Sequence, residues 1–218
     1  MIIMHIYIYH IITYWISCYV LNILLHNKYI NNITLVQHLR TTNPPQQNKI
    51  KDAYVYSILN QLLIVPIVMW SAPYYMNNIT CSYIDSITKF IFYTFIADQW
   101  FYWSHRIMHY PLFYKSIHHI HHRWTYPIPI ATLYAHPLEH IICNFGSLSA
   151  GPLLLPGNEN LIAVWITIAT FNSVLSHSGI DIGLPVFTSQ KHDLHHRILN
   201  CNYGPFGFSD RLYKTRRF

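Results

Sequence analysis

Two long stretches of this chain contain no charged side chain, and they limit its fold more than any other feature. They cover residues 1–27 and 53–84. About 20 apolar residues cross a bilayer as a helix, so each stretch is long enough to span one. A third predicted span, 84–103, carries charges near both ends. Two shorter stretches, 141–155 and 161–175, are predicted to form a hairpin that either crosses the membrane or enters it only part-way.

The overall composition also indicates a chain in contact with lipid. Hydrophobic residues make up 52% of the sequence and charged residues only 10%, whereas soluble domains carry roughly 25% charged residues. Alternating strand patterns are negligible. We therefore predict an all-α membrane protein with four to five membrane helices and a cytosolic histidine-rich helical cap. Residues 1–97 would form the membrane anchor helices and a polar loop, and residues 98–218 the catalytic domain.

The ends of the chain bear on targeting and topology. Residues 1–27 have neither a basic start nor a small-residue cleavage site, which favours a retained anchor over a cleaved signal peptide. The positive-inside rule places residues 28–52, 104–130 and 190–218 in the cytosol and residues 77–83 in the lumen. The net charge of +6 comes from scattered residues, so we expect no nucleic-acid partner. The tight basic group is typical of the cytosolic side of a membrane protein: Arg211, Lys214, Arg216 and Arg217.

Histidine is the residue type that carries chemical information in this chain. Twelve of the 16 histidines lie between positions 105 and 196, and most of these follow short repeated spacings. One HxxxH pair is followed by two HxxHH groups. A single such match is weak evidence for a functional site in a histidine-rich chain. Three matches together favour a functional site over a chance arrangement. The histidines in these boxes are His105, His109, His118, His121, His122, His192, His195 and His196.

The spacing and number of these histidines predict a site for two metal ions. Residues at i, i+3 and i+4 share one helix face, so each box can direct two or three imidazoles to one point. Imidazole binds iron, zinc or copper, and eight or nine histidines exceed the needs of one ion. The carboxylate type of di-iron bundle requires paired glutamates and ExxH motifs. This chain has eight acidic residues in total and no ExxH motif, which excludes that type.

Some histidines outside the boxes are weaker candidates for metal binding. His177 ends the fifth hydrophobic stretch and is predicted as a ligand, and His136 is a further candidate. His119 and His140 are interpreted as structural or as outer partners of the ligands. The remaining histidines lack paired spacing and are interpreted as ordinary surface or core residues: His5, His10, His26 and His38.

Three carboxylates lie close enough in sequence to accept hydrogen bonds from ligand imidazoles. Asp98 precedes the first box by about two helical turns, and Glu139 and Asp193 are similar candidates. The alternative for Asp98 is an exposed charge at a helix end. We predict no catalytic side chain beyond the metal ligands themselves.

The residues around the boxes resemble the fatty acid hydroxylase and sterol desaturase superfamily over roughly 98–215. The similar segments are 98–106, 112–122 and 192–196, the last followed by Asn202-Tyr-Gly and Asp210-Arg-Leu. Within the superfamily, three segments are most similar to the C-4 methylsterol oxidase branch. They are Tyr134-Ala-His-Pro-Leu-Glu, Gly151-Pro and His177-Ser-Gly.

The resemblance implies a specific kind of enzyme. It implies an integral protein of the endoplasmic reticulum with its active site on the cytosolic face, two Fe²⁺ ions, O2 as co-substrate and His177 as a ligand. Electrons would come from cytochrome b5 or its reductase, since the sequence has no His-Pro-Gly-Gly haem motif. The expected reaction is C-4 methyl oxidation of a sterol.

Other functions stay open at the level of the sequence. Within the superfamily they are fatty acyl or sphingolipid hydroxylation and sterol desaturation, and a member that keeps the fold without activity is a further alternative. From another class, a membrane haem- or metal-binding protein without oxygenase activity would also use paired histidines.

Overall fold

The computed structural model describes residues 2–26, 34–35, 47–75, 80–184 and 187–217. Helices dominate this part of the chain, as predicted. The α-helices are α1 (Ile2–His26), α2 (Gln47–Tyr75), α3 (Tyr83–Met108), α4 (Pro111–Ser116), α5 (Pro137–Glu139), α6 (Gly146–Leu154), α7 (Glu159–Ser176), α8 (Ser189–Ile198) and α9 (Phe208–Leu212). Two 3-10 helices, His118–Arg123 and Pro129–Leu133, and one π-helix, His140–Phe145, complete the helical part.

Side-chain caps fix where two of the long helices begin. The Ser82 hydroxyl accepts a hydrogen bond from the Asp85 N–H at the start of α3, at 3.2 Å. The Asn158 side chain accepts one from the Leu161 N–H at the start of α7, at 2.9 Å. Each cap satisfies a backbone donor that has no partner within the helix. Pro111 then begins α4 directly after α3 ends, because proline is favoured in the first helical turn.

A small antiparallel sheet accompanies the helices and was not predicted. Its strands are β1 (Thr34–Leu35), β2 (Ile180–Leu184) and β3 (Phe187–Thr188), in the order β1-β2-β3. β1 and β3 have only two residues each, too few for a pattern, while the five residues of β2 alternate between apolar residues and Asp181 or Gly183. The alternation in β2 was the available signal, and it was missed.

Two apolar cores hold the helices together. The first joins α1, α2 and α7 to the 3-10 helix at 129–133, and the second joins α3 to α7. In the second core α6 packs closely on α3, since a Cβ at Gly151 would lie 2.8 Å from the Tyr93 Cα. Fully buried side chains at these contacts include Tyr14, Tyr93, Ile162, Trp165 and Leu175.

Buried polar groups of α1 and α2 fix the irregular segment 129–135. The Asn60 amide donates to the carbonyls of Leu133 and Ala135, at 2.9 Å each. Ser57 and Tyr14 donate to the Ile130 carbonyl at 3.2 and 3.1 Å. These bonds satisfy backbone acceptors that no helix or sheet would satisfy. Helices α1 and α2 therefore position the segment 129–135, whose Tyr134 carbonyl oxygen lies 3.2 Å from the His121 Nδ1.

One described helical segment, Tyr7–His26, is long and apolar enough to cross a membrane. The predicted total of four to five membrane helices therefore stays a prediction. The predicted second span, 53–84, is divided differently, because α2 ends at Tyr75 and α3 begins at Tyr83. Most of the loop 28–52 and part of the loop 77–83 lie outside the described residues.

Candidate metal centre

Nine histidines converge in two adjacent groups, and each group could hold a metal ion. Within each group the nitrogen atoms available as ligands all lie within 4.8 Å of one another. The ring centroids of His122 and His196, which belong to different groups, are only 4.5 Å apart. The first group contains His105, His109, His118, His122 and His195, and the second contains His121, His177, His192 and His196.

In the first group the Nε2 atoms face one another around His118. The Nε2 of His118 lies 3.1 Å from that of His105, 3.0 Å from that of His109 and 2.9 Å from that of His122. The Nε2 atoms of His109 and His195 are 3.2 Å apart. Five ring nitrogens therefore point to a common centre.

The second group has the same arrangement with four imidazoles. The Nε2 of His177 lies 3.3 Å from that of His121 and 2.9 Å from that of His192. The Nε2 atoms of His192 and His196 are also 2.9 Å apart. His177 thus lies among the box histidines, although it is isolated in the sequence.

Backbone carbonyls determine which nitrogen of several rings carries the proton. The Nδ1 of His105 donates to the Tyr203 carbonyl at 2.8 Å, and that of His195 to the Cys201 carbonyl at 2.6 Å. A carbonyl oxygen only accepts, so Nδ1 must be the protonated nitrogen and Nε2 carries a free lone pair. In the second group, Nδ1 atoms face carbonyls in the same way: His121 faces Tyr134 at 3.2 Å and His177 faces Ser173 at 3.0 Å.

This arrangement fits metal ions. Imidazole nitrogens bound to one ion at about 2.1 Å lie roughly 3.0 to 3.4 Å apart at right-angle to tetrahedral separations. The observed Nε2–Nε2 distances of 2.9–3.3 Å match that spacing. Converging lone pairs repel one another unless a cation lies between them. The hydrogen bonds at Nδ1 are the usual outer contacts of metal-binding histidines.

Burial keeps these imidazoles neutral, which is the form that binds metal. Burial, together with the repulsion that protonated His105 and His121 would exert, lowers the pKa of His109 to about 2. Burial also lowers the pKa of His121 to about 4 and, with the repulsion that protonated His121 would exert, that of His177 to about 3. At neutral pH these three rings are therefore uncharged.

Each HxxHH box supplies both groups. In α8, His192 and His196 join the second group and His195 joins the first. Consecutive residues differ by 100° around an α-helix, so the adjacent His195 and His196 diverge. The 3-10 helix at 118–123 likewise separates its histidines between the two groups. The spacing predicts convergence, but the tertiary structure decides to which group each ring belongs.

The C-terminal segment carries the carbonyls that face the first group, and two buried aspartates hold this segment. Asp210 accepts from the N–H groups of Tyr203 and Gly204, at 2.8 and 2.7 Å. Asp98 on α3 accepts from the N–H of Phe206 at 3.1 Å and from Ser209. The predicted role of Asp98, accepting directly from a ligand imidazole, is not the contact observed. Its two oxygens accept hydrogen bonds from the backbone of residues 206–209. Asp98 therefore acts on the histidines indirectly, by holding the segment whose carbonyls accept from them.

The other predicted site residues lie in different surroundings. Glu139 is buried, and its Oε1 lies 2.9 Å from the His118 Nδ1. Burial raises the pKa of Glu139 well above its usual range. Asp193 forms an ion pair with Arg197 at 3.1 Å.

The structure places His136 outside both histidine groups. Its Nδ1 accepts from the Leu138 N–H at 3.2 Å, which caps α5. The imidazole therefore caps a helix start and is not part of either histidine group, contrary to the prediction from the sequence.

A cavity with a mainly apolar lining opens onto both groups. It has a volume of about 140 Å³, far more than the 10–15 Å³ that one water molecule requires. His105 of the first group and His121, His177 and His192 of the second line it. Aromatic and aliphatic side chains form much of the remaining wall, including Phe101, Leu148, Ile162, Trp165 and Ile166.

Sequence reasoning missed two parts of this site. The first is the set of backbone carbonyls that orient the rings, which no residue type reveals. The second is a pair of histidines that line the cavity without joining either group, His10 and His140. His10 was interpreted as an ordinary surface or core residue because it lacks a neighbouring histidine at helical spacing.

Comparison with known proteins identifies the family. The family model described as fatty acid hydroxylase matches residues 90–215, which is more than half of the chain. The chain belongs to the fatty acid hydroxylase family. The family match includes all nine clustered histidines, and this family depends on iron. The resemblance recognised from the motifs is thereby confirmed.

Individual relatives align with somewhat more than half of this chain. It is 41% identical over 124 residues to the human fatty acid hydroxylase domain-containing protein 2, covering 56% of this chain and 37% of the relative. It is 35% identical over 146 residues to C-4 methylsterol oxidase erg25 of Schizosaccharomyces pombe, covering 59% and 48%.

A third relative is methylsterol monooxygenase 1 of Rattus norvegicus. It is 37% identical over 128 residues, covering 55% of this chain and 43% of the relative. The aligned part thus spans less than half the length of each of these relatives. No solved structure matches the chain.

Proposed function

We propose that this protein is a membrane-bound, non-haem di-iron oxygenase that oxidises a C–H bond of a lipid. The supporting observation is the pair of histidine groups, with five and four converging imidazoles, beside one cavity that members of both groups line. The family assignment supports an oxygenase-type enzyme. The ligands we propose are the nine histidines of the two groups, without His136.

The residues of the chain have separate tasks in this proposal. Two iron ions, when bound, would supply the activation of O2 and the oxidation of an unactivated C–H bond. The carbonyls of Tyr203 and Cys201 orient His105 and His195 and hold their protons on Nδ1. The apolar wall excludes water and holds the lipid so that one carbon faces the histidine groups.

The overall reaction requires electrons from outside the chain. Conversion of a C–H bond to an alcohol by O2 consumes two electrons and two protons and releases one water molecule. We propose that a one-electron carrier such as cytochrome b5 or its reductase delivers them at the cytosolic face of an endoplasmic-reticulum-like membrane. The basic C-terminal group supports this orientation.

The substrate we favour is a sterol with a methyl group at C-4. Two of the relatives described above carry the name of a methylsterol oxidase or monooxygenase. A fatty acyl substrate is the alternative, because another relative, 30% identical over 164 residues, is named fatty acid hydroxylase ahd1 of Mycosarcoma maydis.

The proposal is tested by ¹⁸O2 incubation of microsomes that contain the wild-type protein or single variants. We expect ¹⁸O in an oxidised 4-methylsterol with the wild type and none with His195→Ala or His196→Ala, which remove one ligand from each group. His119→Ala is the matched control, since His119 lies beside His118 but outside both groups. Full turnover in either ligand variant would refute the proposed centre.

A haem protein without oxygenase activity predicts a different observation. Bis-histidine haem needs two imidazoles on opposite faces of a porphyrin. The five or four nitrogens converging within 4.8 Å leave no space for that ring. A Soret band in the purified protein would favour haem over two separate ions.

A further inference from the structure

Two imidazoles line the cavity without belonging to the metal centre. His10 lies on α1, within the segment long enough to cross a membrane, and His140 begins the π-helix. Both line the same cavity as the two histidine groups. The Nε2 atom of each ring is buried and, among the described residues, has no hydrogen-bond partner.

The opposite nitrogen of each ring is held by a polar neighbour. The Asn144 amide donates to the His140 Nδ1 at 3.3 Å. In a neutral imidazole the proton must then be on Nε2, which makes this atom a donor. The His10 Nδ1 lies 3.0 Å from the Thr170 hydroxyl, which either donates or accepts, so its Nε2 can do either. Asn144 and Thr170 also line the cavity.

Helix α7 relates the position of His10 to the metal centre. Thr170, the partner of His10, precedes His177 by seven residues, two turns that return to the same helix face. At a rise of about 1.5 Å per residue, the two positions are about 10 Å apart along the helix. His10 is therefore held about two helical turns from His177.

Such a pair is costly unless something binds to it. An unsatisfied buried polar group destabilises a protein, because it has lost its hydrogen bonds to water. A polar side chain within a membrane segment is usually functional. Here two unsatisfied nitrogens line one cavity whose other wall is largely apolar, which is the arrangement of a site that orients a mainly apolar ligand through one polar group.

We propose that His10 and His140 bind a hydroxyl or carbonyl oxygen of the lipid substrate, located within a few bonds of the carbon that is oxidised. This inference rests on the proposed oxygenase function and adds how the substrate is recognised. An alcohol satisfies both rings, because its oxygen accepts from His140 and its proton or second lone pair pairs with His10.

The short distance follows from the spacing along α7. Thr170, which contacts His10, and His177 of the second group lie about 10 Å apart along this helix. The polar group of the substrate and the carbon that reacts therefore lie close together. A polar group at the far end of a long acyl chain would not fit this spacing.

Binding of matched sterols to the iron-loaded protein in lipid nanodiscs tests this proposal without turnover. The probes are 4α-methylcholestan-3β-ol, 4α-methylcholestane, which lacks the hydroxyl, and 4α-methylcholestan-25-ol, which carries it at the far end. We expect the wild type to bind the 3β-alcohol at least about tenfold more tightly than the other two, since a buried polar site rejects ligands that leave it unpaired.

Single variants locate the preference. His10→Phe and His140→Phe should reduce it to less than about threefold, because phenylalanine preserves shape but removes the hydrogen bond. His140→Gln should retain most of it, since the glutamine amide can donate from a similar position. His26→Phe is the control, because His26 lies at the exposed end of α1 and does not line the cavity.

Equal binding of the three sterols by the wild type would overturn the proposal, and so would an unchanged preference in both phenylalanine variants. The iron content of each variant shows whether it has folded. If the wild-type protein had neither iron nor turnover, the oxygenase function would be refuted. A preference for the 3β-alcohol would still support the role of His10 and His140 in binding. The two proposals therefore fail in distinguishable ways.

Discussion

Replacement of Asp98 by asparagine should loosen the C-terminal segment and weaken the first histidine group. The Asp98 side chain is fully buried and accepts three hydrogen bonds. One oxygen accepts from the Phe206 N–H at 3.1 Å, and the other accepts from the Ser209 N–H at 2.7 Å and from its hydroxyl at 2.6 Å. The held segment follows Tyr203, whose carbonyl accepts from His105.

The structure indicates the size of the effect. Asparagine keeps one acceptor oxygen, which can serve Ser209, but its NH2 group then faces the Phe206 N–H. One hydrogen bond is replaced by two opposed donors, at a cost of about 1–3 kcal/mol, and the remaining bonds lose the support of a negative charge. We expect destabilisation of about 2–4 kcal/mol, which corresponds to a fall in Tm of roughly 4–16 °C for a chain of this size.

Thermal unfolding in detergent, followed by size-exclusion chromatography, measures this change, and metal analysis measures the loss of iron. Asp52→Asn is the matched control, because Asp52 is exposed on α2 and an exposed charge contributes little to stability. We expect no measurable shift in Tm for the control. Equal Tm values and full iron content for both variants would refute the role assigned to Asp98.

Three further predictions follow from particular contacts. Glu139→Leu removes the buried carboxyl group that faces the His118 Nδ1 and should weaken iron binding about 10- to 100-fold, measured by competition with a chelator; unchanged affinity would contradict this role. His136→Ala removes only a helix cap, so iron content should stay at the wild-type level while stability falls by about 1 kcal/mol; loss of iron would restore His136 as a ligand. Gly151→Leu should destabilise the protein by about 1–3 kcal/mol or more, since even a Cβ would lie 2.8 Å from the Tyr93 backbone; a wild-type Tm would show that α3 and α6 do not pack as described.

The histidine boxes could be recognised from the sequence because paired spacing on a helix is a local property. His105 and His109 are one helical turn apart and reach the same group. His177 was recognised only through its position before the third box and through the family resemblance. By contrast, the assignment of His195 and His196 to different groups depends on how α8 lies against the other elements, which no local pattern contains.

The orienting contacts could not be predicted for a related reason. The acceptors at Tyr203, Cys201 and Tyr134 are backbone carbonyls, and every residue has one. His10 was missed because its partner Thr170 is 160 positions away in the sequence. The sequence showed His10 only as an isolated polar residue within an apolar helix. The function proposed for it became visible once the structure showed that it lines the cavity.

The metal content of the purified protein tests the central claim most directly. Protein isolated from membranes under mild conditions should contain close to two iron ions per chain by elemental analysis, and their Mössbauer signals should indicate nitrogen-rich, non-haem iron. One iron should remain when His196→Ala removes a ligand of the second group. Oxidation of lipid by a wild-type protein with one iron per chain or none would contradict the account. Retention of two irons by the His196→Ala variant would contradict it as well.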